Sequence, residues 1–318
     1  MIARATLTLF ISALGGSVIV FLLLRMLRGD IATVILGQTA TAESLAALRA
    51  EFGLDRSWAV QYWEWMTGML QGDLGVSYAS GYDIFGEIRS RLGLTFTLAI
   101  ASLVLSSIFA LIAGTYSAVN VRNLRGGIVD VGAQLGIAVP TFWAGLLLIG
   151  WVSVQQGWLP ASGYVPWTES VVGALRTLTL PILALSIPIA AMLTRYVRSA
   201  MLDVLNEDYI RTAMAKGRTL RGAAIIHGVR NASVSLVTVA TLQLGSLIAG
   251  AVVIENVFTL PGLGRMLLDA VGNREAIVVQ SLVFVILLLI LFLNYLMDLG
   301  YGWIDPRIRD AQGSDART

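Results

Sequence analysis

The sequence predicts an all-α polytopic membrane protein with six transmembrane helices, and three observations carry that expectation. Of its 318 residues, 56% are hydrophobic without counting 32 glycines and only 13% are charged, about half the charged share of a typical globular domain. Charges divide the chain into six long runs that contain no Asp, Glu, Lys, Arg or His, each long enough to cross a hydrocarbon core of ~30 Å as a helix. The runs lack the strict two-residue alternation of a transmembrane strand, so helices are the spanning form.

The first run, residues 5–24, follows Arg4 and could be taken for a secretory signal. Its apolar stretch of 20 residues exceeds the usual 7–15 of such a signal, and five further runs follow, so it reads as a retained first helix. The second lies within 92–121, spanning from about Thr95 to Val119. The others are 131–154, 177–194, 232–254 and 276–297. Six crossings put both termini on one side. The connections 120–130 and 195–230 carry Arg122, Arg125, Arg195, Arg198, Arg211, Lys216, Arg218, Arg221 and Arg230, and the tail adds Arg307, Arg309 and Arg317. The positive-inside rule makes these segments and both termini of a multi-pass protein cytoplasmic. The organisation expected is 1–27, an N-terminal tail and first helix; 28–93, an extracytoplasmic segment with short helices; 94–310, a five-helix core whose cytoplasmic loop is 195–231; and 311–318, a disordered polar tail.

Within 28–93, Thr41 stands three residues before Ser44, with Glu43 between them, and Leu45, Leu48 and Phe52 follow at helical spacing before Gly53. A short amphipathic helix ended by glycine fits. Trp58, Tyr62, Trp63, Trp65 and Met69 recur at three- and four-residue steps, which reads as a second short helix anchored at the membrane interface, with a ligand-stacking platform as the rarer alternative.

Chemistry has little material. With no cysteine and one histidine, His227, disulfides, thiolate nucleophiles, cysteine-ligated metals and a Ser/His/Asp triad are excluded or unsupported. No metal or cofactor is expected on this chain. A net charge of +2, with Lys216 the single lysine, gives no reason to expect nucleic acid as a partner. Uncharged spans disfavour ion-coupled carriers and intramembrane proteases, so transport energy has to come from elsewhere. Pro140, Pro181 and Pro188 are candidate helix kinks near a pathway, or ordinary packing features. Phe258, Pro261, Gly262 and Gly264 mark a turn before a short helix at 266–271.

The stretch 195–230 is too long and too ordered for a simple turn. Leu202, Leu205, Tyr209, Ile210, Ala213 and Met214 recur at helical steps, Gly217 suits a left-handed cap, and a second short helix starts after Arg218. A helical elbow with an apolar face and a basic rim suits docking into a groove of another protein, or else sets topology as a solvated basic loop.

The run Asp208-Tyr209-Ile210-Arg211-Thr212-Ala213-Met214-Ala215-Lys216-Gly217, continuing to His227-Gly228-Val229-Arg230-Asn231-Ala232, resembles the cytoplasmic signature loop of permease subunits of ABC-type importers, specifically the dipeptide/oligopeptide group. Ile35-Leu36-Gly37-Gln38, Leu48-Arg49-Ala50-Glu51-Phe52-Gly53-Leu54-Asp55, Gly72-Asp73-Leu74-Gly75-Val76-Ser77, Glu255-Asn256-Val257-Phe258-Thr259-Leu260-Pro261-Gly262-Leu263-Gly264 and Asp305-Pro306-Arg307-Ile308-Arg309 resemble that group's first permease in the same order. The likeness runs from about residue 1 to 310. Two departures stand out: Arg211-Thr212-Ala213 replaces the Glu-Ala-Ala of the broader importer signature, and Ala232-Ser233-Val234 stands where many relatives have a proline nearby.

The resemblance implies a type I importer permease fold in the lipid bilayer of a bacterial cytoplasmic membrane and a heterodimer with a second homologous permease. It further implies two ATP-binding subunits or domains that hold ATP and Mg, an extracytoplasmic solute-binding protein and a peptide substrate. ATPase coupling would fall to Tyr209, Ala213, Lys216, Gly217, Arg218, Leu220 and Arg221, and an outer gate to Phe258, Pro261, Gly262 and Gly264. The chain has no Gly-x-x-x-x-Gly-Lys-[Ser/Thr] phosphate loop, so it is a transport subunit and not an enzyme. Within the same architecture the cargo could instead be nickel, glutathione, haem or a saccharide. Other classes are a non-translocating scaffold or receptor and a stand-alone channel or carrier.

Overall fold

The computed structural model describes residues 2–26, 36, 40–51 and 53–304. Most of Ile35-Leu36-Gly37-Gln38, Phe52, the motif 305–309 and the tail 311–318 lie outside the described residues. Among the described residues, helices are the only regular structure apart from one antiparallel bridge, Val76 to Asp83. The chain divides into two units, residues 1–93 with 262–318 and residues 94–261.

The first unit begins with α1 (Ile2–Met26), followed by α2 (Ala42–Glu51) and α3 (Trp58–Leu70). The opening turns of α4 (Ile84–Val119) belong to it, as do α12 (Leu263–Gly272) and α13 (Ala276–Ile304). α2 starts as expected: the Thr41 hydroxyl accepts from the Ser44 N–H at 3.1 Å, and the Ser44 hydroxyl from the Thr41 N–H at 2.9 Å. α3 divides the aromatic stripe between two environments. Tyr62 and Trp65 turn inward onto Phe21 of α1, with centroids 5.4 and 6.3 Å away, and Trp65 meets Phe284 of α13 at 5.3 Å; Trp58 and Trp63 face outward. α1 packs along α13 at a glycine, since a Cβ on Gly16 would fall 2.2 Å from Leu287. Leu74, Ile84, Ile88, Leu263, Met266, Val278 and Leu282 form the core.

The second unit continues α4 from Leu94. It adds α5 (Leu124–Ala138), α6 (Thr141–Leu148) running into a π-helical stretch Ile149–Gln155, α7 (Val171–Leu205), α8 (Asp208–Ala215) and α9 (Leu220–Ala223). A π-helical stretch Ala224–Gly228 leads into α10 (Val229–Leu242), and α11 (Leu244–Val257) follows. α7 is the central member, against which α5, α6, α10 and α11 pack. Leu193, Val197 and Met201 of α7 are sealed against Ala110 and Ala118 of α4 and Ala232, Leu236 and Ala240 of α10.

Three expected spans are redrawn. The run 131–154 is not one rod: α5 and the α6 stretch meet at 104°. Val139 and Pro140 are extended there, because proline disfavours helical backbone in the residue before it. The run 232–254 is divided at Gln243 between α10 and α11. The run 177–194 is the middle of a 35-residue helix that carries Arg176, Arg195 and Arg198, so the elbow begins after Leu205 and not at Arg195. A charge ends the apolar run but leaves backbone hydrogen bonding intact, which is why hydropathy marks the span and not the helix. By length and composition four helices can cross a membrane, or up to six if each of two bent pairs is one span. The exposed faces agree with lipid as solvent: Leu7, Phe10, Ile11 and Leu14 of α1 and Ile108, Phe109 and Ile112 of α4 all point outward.

Candidate functional site

The elbow is built from short-range rules. After α7, Ile210 and Ala213 of α8 and Ala223 of α9 are buried together against Val204 and Leu205, so the elbow has its own small core. α8 ends in a Schellman motif: the Gly217 N–H donates to the Met214 carbonyl at 2.9 Å and the Arg218 N–H to the Ala213 carbonyl at 3.2 Å. Gly217 sits at φ +88° with nothing within 4 Å of an added Cβ, so glycine is selected there by backbone conformation and not by space. Two residues after Gly217 the Thr219 hydroxyl accepts from the Gly222 N–H at 3.1 Å and caps α9.

Three contacts brace the elbow and its stem within the second unit. Arg221 Nη2 donates to Asn120 Oδ1 at the end of α4, 3.3 Å away, and Asn231 Nδ2 of α10 donates to the Tyr209 hydroxyl at 2.8 Å. Arg198 of α7 pairs with Asp130 of α5 at 3.8 Å. Gly228 lets α7 approach, since a Cβ there would lie 2.7 Å from the Met201 methyl.

Of the seven residues singled out for ATPase coupling, Tyr209, Lys216, Gly217, Arg218, Leu220 and Arg221 are exposed around one turn, whereas Ala213 belongs to the elbow's own core. Met214, 44% exposed, Tyr209 at 40% and Leu220 at 37% are the larger exposed apolar side chains of the elbow; Tyr209 and Met214, five positions apart on α8, flank its buried Ile210 and Ala213 on opposite sides. Asn120 and Asn231 were not anticipated. Each borders an apolar run and reads as a polar end residue unless its long-range partner is known.

The segment after α11 repeats the same helix ending with different residues. The Thr259 N–H donates to the Asn256 carbonyl at 3.3 Å and the Leu260 N–H to the Glu255 carbonyl at 2.7 Å, with Thr259 at φ +57°. Phe258 is buried against Gly145 of α6, where an added Cβ would stand 3.1 Å from its ring, and its carbonyl accepts from the Gly163 N–H at 3.2 Å. Glu255 is 0% exposed and accepts from the Thr95 hydroxyl of α4 at 2.6 Å. This carboxylate lies inside the second unit, and only its place at the end of an apolar run could have signalled it. Of the other gate candidates, Pro261 closes the second unit, while Gly262 caps α12 and Gly264 is buried in the first.

In the first unit a comparable clamp joins Ser77, whose hydroxyl donates to buried Glu275. The nearby Tyr82 hydroxyl is held above its ordinary pKa, first by burial and then by the Glu275 and Glu87 charges. Pro140 makes the bend between α5 and α6, but Pro181 and Pro188 leave α7 unbroken. Between those two prolines the Ile182 and Ser186 carbonyls accept the Ser102 and Ser106 hydroxyls of α4, at 3.2 and 3.0 Å. A groove of about 490 Å³ lies alongside, lined by small and apolar residues of α4, α5 and α7 that include Gly132, Gly136 and Ala190. No group of three or more His, Cys, Asp or Glu side chains able to hold a metal ion occurs among the described residues.

Residues 106–310 match the family described as binding-protein-dependent transport system inner membrane component, and residues 1–99 match its N-terminal companion. A probable peptide ABC transporter permease protein of Sinorhizobium fredii is 36% identical over 313 residues, covering 97% of this chain and 98% of the relative. The glutathione transport system permease protein of Escherichia coli K12 is 39% identical over 293 residues, covering 92% and 93%. A putative peptide transport system permease protein of Brucella abortus is 38% identical over 297 residues, with the same coverage.

Proposed function

This chain belongs to the binding-protein-dependent transport system inner membrane components, the permease subunits of ABC importers, and from that premise we propose that it moves peptides inward across the membrane, driven by ATP that partner subunits hydrolyse. The partners in this reading are a second homologous permease, two ATP-binding subunits and an extracytoplasmic solute-binding protein. The relatives named for peptides and for glutathione support the cargo class.

The observation that carries the coupling half is the braced elbow. Tyr209, Met214 and Leu220 offer exposed apolar side chains to a groove, and Lys216 and Arg218 add charge along the elbow's outer face. The buried core of Ile210, Ala213 and Ala223, with the Arg221–Asn120 and Asn231–Tyr209 contacts, transmits displacement of that face to α4, α7 and α10. Closure of the ATPase pair then biases two packings of the membrane helices, opening the pathway to one side or the other.

The test is ATP-dependent accumulation of a labelled dipeptide in proteoliposomes holding the complete complex. Gly217→Pro cannot keep φ at +88° and breaks the Schellman turn. The expected result is normal membrane insertion with ATP hydrolysis no longer linked to uptake. Uptake at the wild-type rate in that variant overturns the lever, and ATP-independent flux overturns the importer mechanism.

A further inference from the structure

Within the second unit, the end of α4 and the chain running from α9 into α10 enclose a groove of about 410 Å³. Leu111, Ile112, Val119, Ile225 and Val229 give it an apolar wall. Ile112, Tyr116 and Ile225 line it and are exposed, so the groove lies open on the surface of the unit and is not a sealed void.

Its place in a bilayer follows from α4. That helix is long and apolar enough to cross a membrane, carries no charge from Leu92 to its end at Val119, and is followed by Arg122. The lining residues of α4 run from Leu111 to Asn120, a rise of about 13 Å. The wall of the groove therefore starts in the span and ends where the span meets its first charges. Tyr116 stands near that end, a position that favours an exposed aromatic ring with a polar tip.

Arg221 occupies the polar end. It is exposed, and its Nη2 donates to Asn120 Oδ1 at 3.3 Å. Asn120 is fixed in turn, because its Nδ2 donates to the Tyr116 carbonyl at 2.8 Å. The side-chain partner of Arg221 is thus a neutral amide. No carboxylate lines the groove, and among the described residues no ion pair engages Arg221. An uncompensated positive charge at the boundary end of an open apolar groove fits a ligand that is anionic at one end and apolar along the rest.

We propose that this groove holds one anionic phospholipid. The Arg221 guanidinium takes the phosphate, for which its planar fork is well shaped, and an acyl chain lies along Leu111, Ile112 and Ile225. A basic site between membrane helices at head-group level suits such a lipid. Net negative charge is selected because a zwitterionic lipid brings an ammonium that the lining has no carboxylate to meet, and a free phosphate would leave the apolar wall unused. The assignment needs α4 to cross the bilayer and does not depend on what the chain transports.

The test is native mass spectrometry of the purified full-length chain, released from detergent with dioleoyl phosphatidylglycerol, phosphatidylethanolamine or phosphatidylcholine. One phosphatidylglycerol should stay bound under conditions that strip the other two. Arg221→Gln should weaken that retention by roughly tenfold, whereas Arg89→Gln, at an exposed arginine near the opposite end of α4, should leave it unchanged. If Arg221→Gln does not fold, Ile225→Glu decides the matter, since it puts a negative charge at an exposed position of the groove and should release the same lipid. Equal retention of the three lipids, no retention, equal loss from the Arg89 and Arg221 variants, wild-type retention in a folded Arg221 or Ile225 variant, or displacement of the lipid by an equal concentration of glycerol phosphate overturns the proposal.

Discussion

Thr259 holds φ at +57°, where a β-branched side chain crowds its own backbone. Gly217 fills the equivalent left-handed position at the end of α8, but α11 ends on threonine and α12 on Arg274 at φ +58°. The hydrogen bonds of both non-glycine endings match those at Gly217, since the Arg274 N–H reaches the Val271 carbonyl at 3.1 Å and the Glu275 N–H the Ala270 carbonyl at 2.9 Å. Such a conformation costs an L-residue about 1–2 kcal/mol relative to glycine. Thr259→Gly should raise the stability of the purified protein by about 1 kcal/mol, offset in part by the extra freedom of the unfolded chain, and a thermal melt in detergent checks it. An unchanged or lower midpoint would show that Thr259 carries no strain. Gly217 was legible because glycine after a periodic helix is a known stop; Thr259 and Arg274 were not, because their φ follows from contacts made by the residues around them. Glu255 was equally hidden, since a carboxylate beside an apolar run reads as a membrane boundary until the Thr95 hydroxyl is seen to meet it.

Helices show the opposite balance. Four of the six apolar runs located the long helices, because suitability for lipid and hydropathy report the same property. What hydropathy cannot report is continuity, which depends on single residues such as Pro140 and Gln243, or on charged ends such as Arg195 that remain helical. The small residues along α7's partners are a further element-scale fact that composition alone leaves unassigned. A Cβ at Gly114 of α4 would stand 2.7 Å from Val197 Cβ and 2.8 Å from the Thr194 carbonyl, and one at Gly136 of α5 would stand 2.7 Å from Ala191 Cβ. These glycines set how closely α4 and α5 approach α7. Gly114→Leu should therefore destabilise the protein by about 1–3 kcal/mol. Gly127, with nothing within 4 Å of an added Cβ, should tolerate alanine with little change in the same melt.

For the whole molecule, the family was readable from the order of short motifs along the chain, whereas the division into units at residues 93/94 and 261/262 was not. That division depends on contacts between α1 and α13, nearly the full chain apart. Orientation is directly testable because the sequence contains no cysteine. A single cysteine at exposed Met214 should react with an impermeant maleimide only from the cytoplasmic side of oriented vesicles, and one at Glu169 only from the other; the reverse pattern would invert the topology. The bend at Val139–Pro140 adds a constraint of a different kind. α5 has 15 residues, and α6 with its π-helical continuation has eight and seven, so each arm is about 22 Å long. Neither arm reaches across a bilayer core unaided. Where they meet, the last carbonyls of one arm and the first N–H groups of the other come together without helical partners. Hydrocarbon cannot solvate those groups, so this corner must be wetted or covered by protein. A run that looks fully oily in sequence therefore has a thirsty corner at Val139–Pro140, from which lipid has to be kept out.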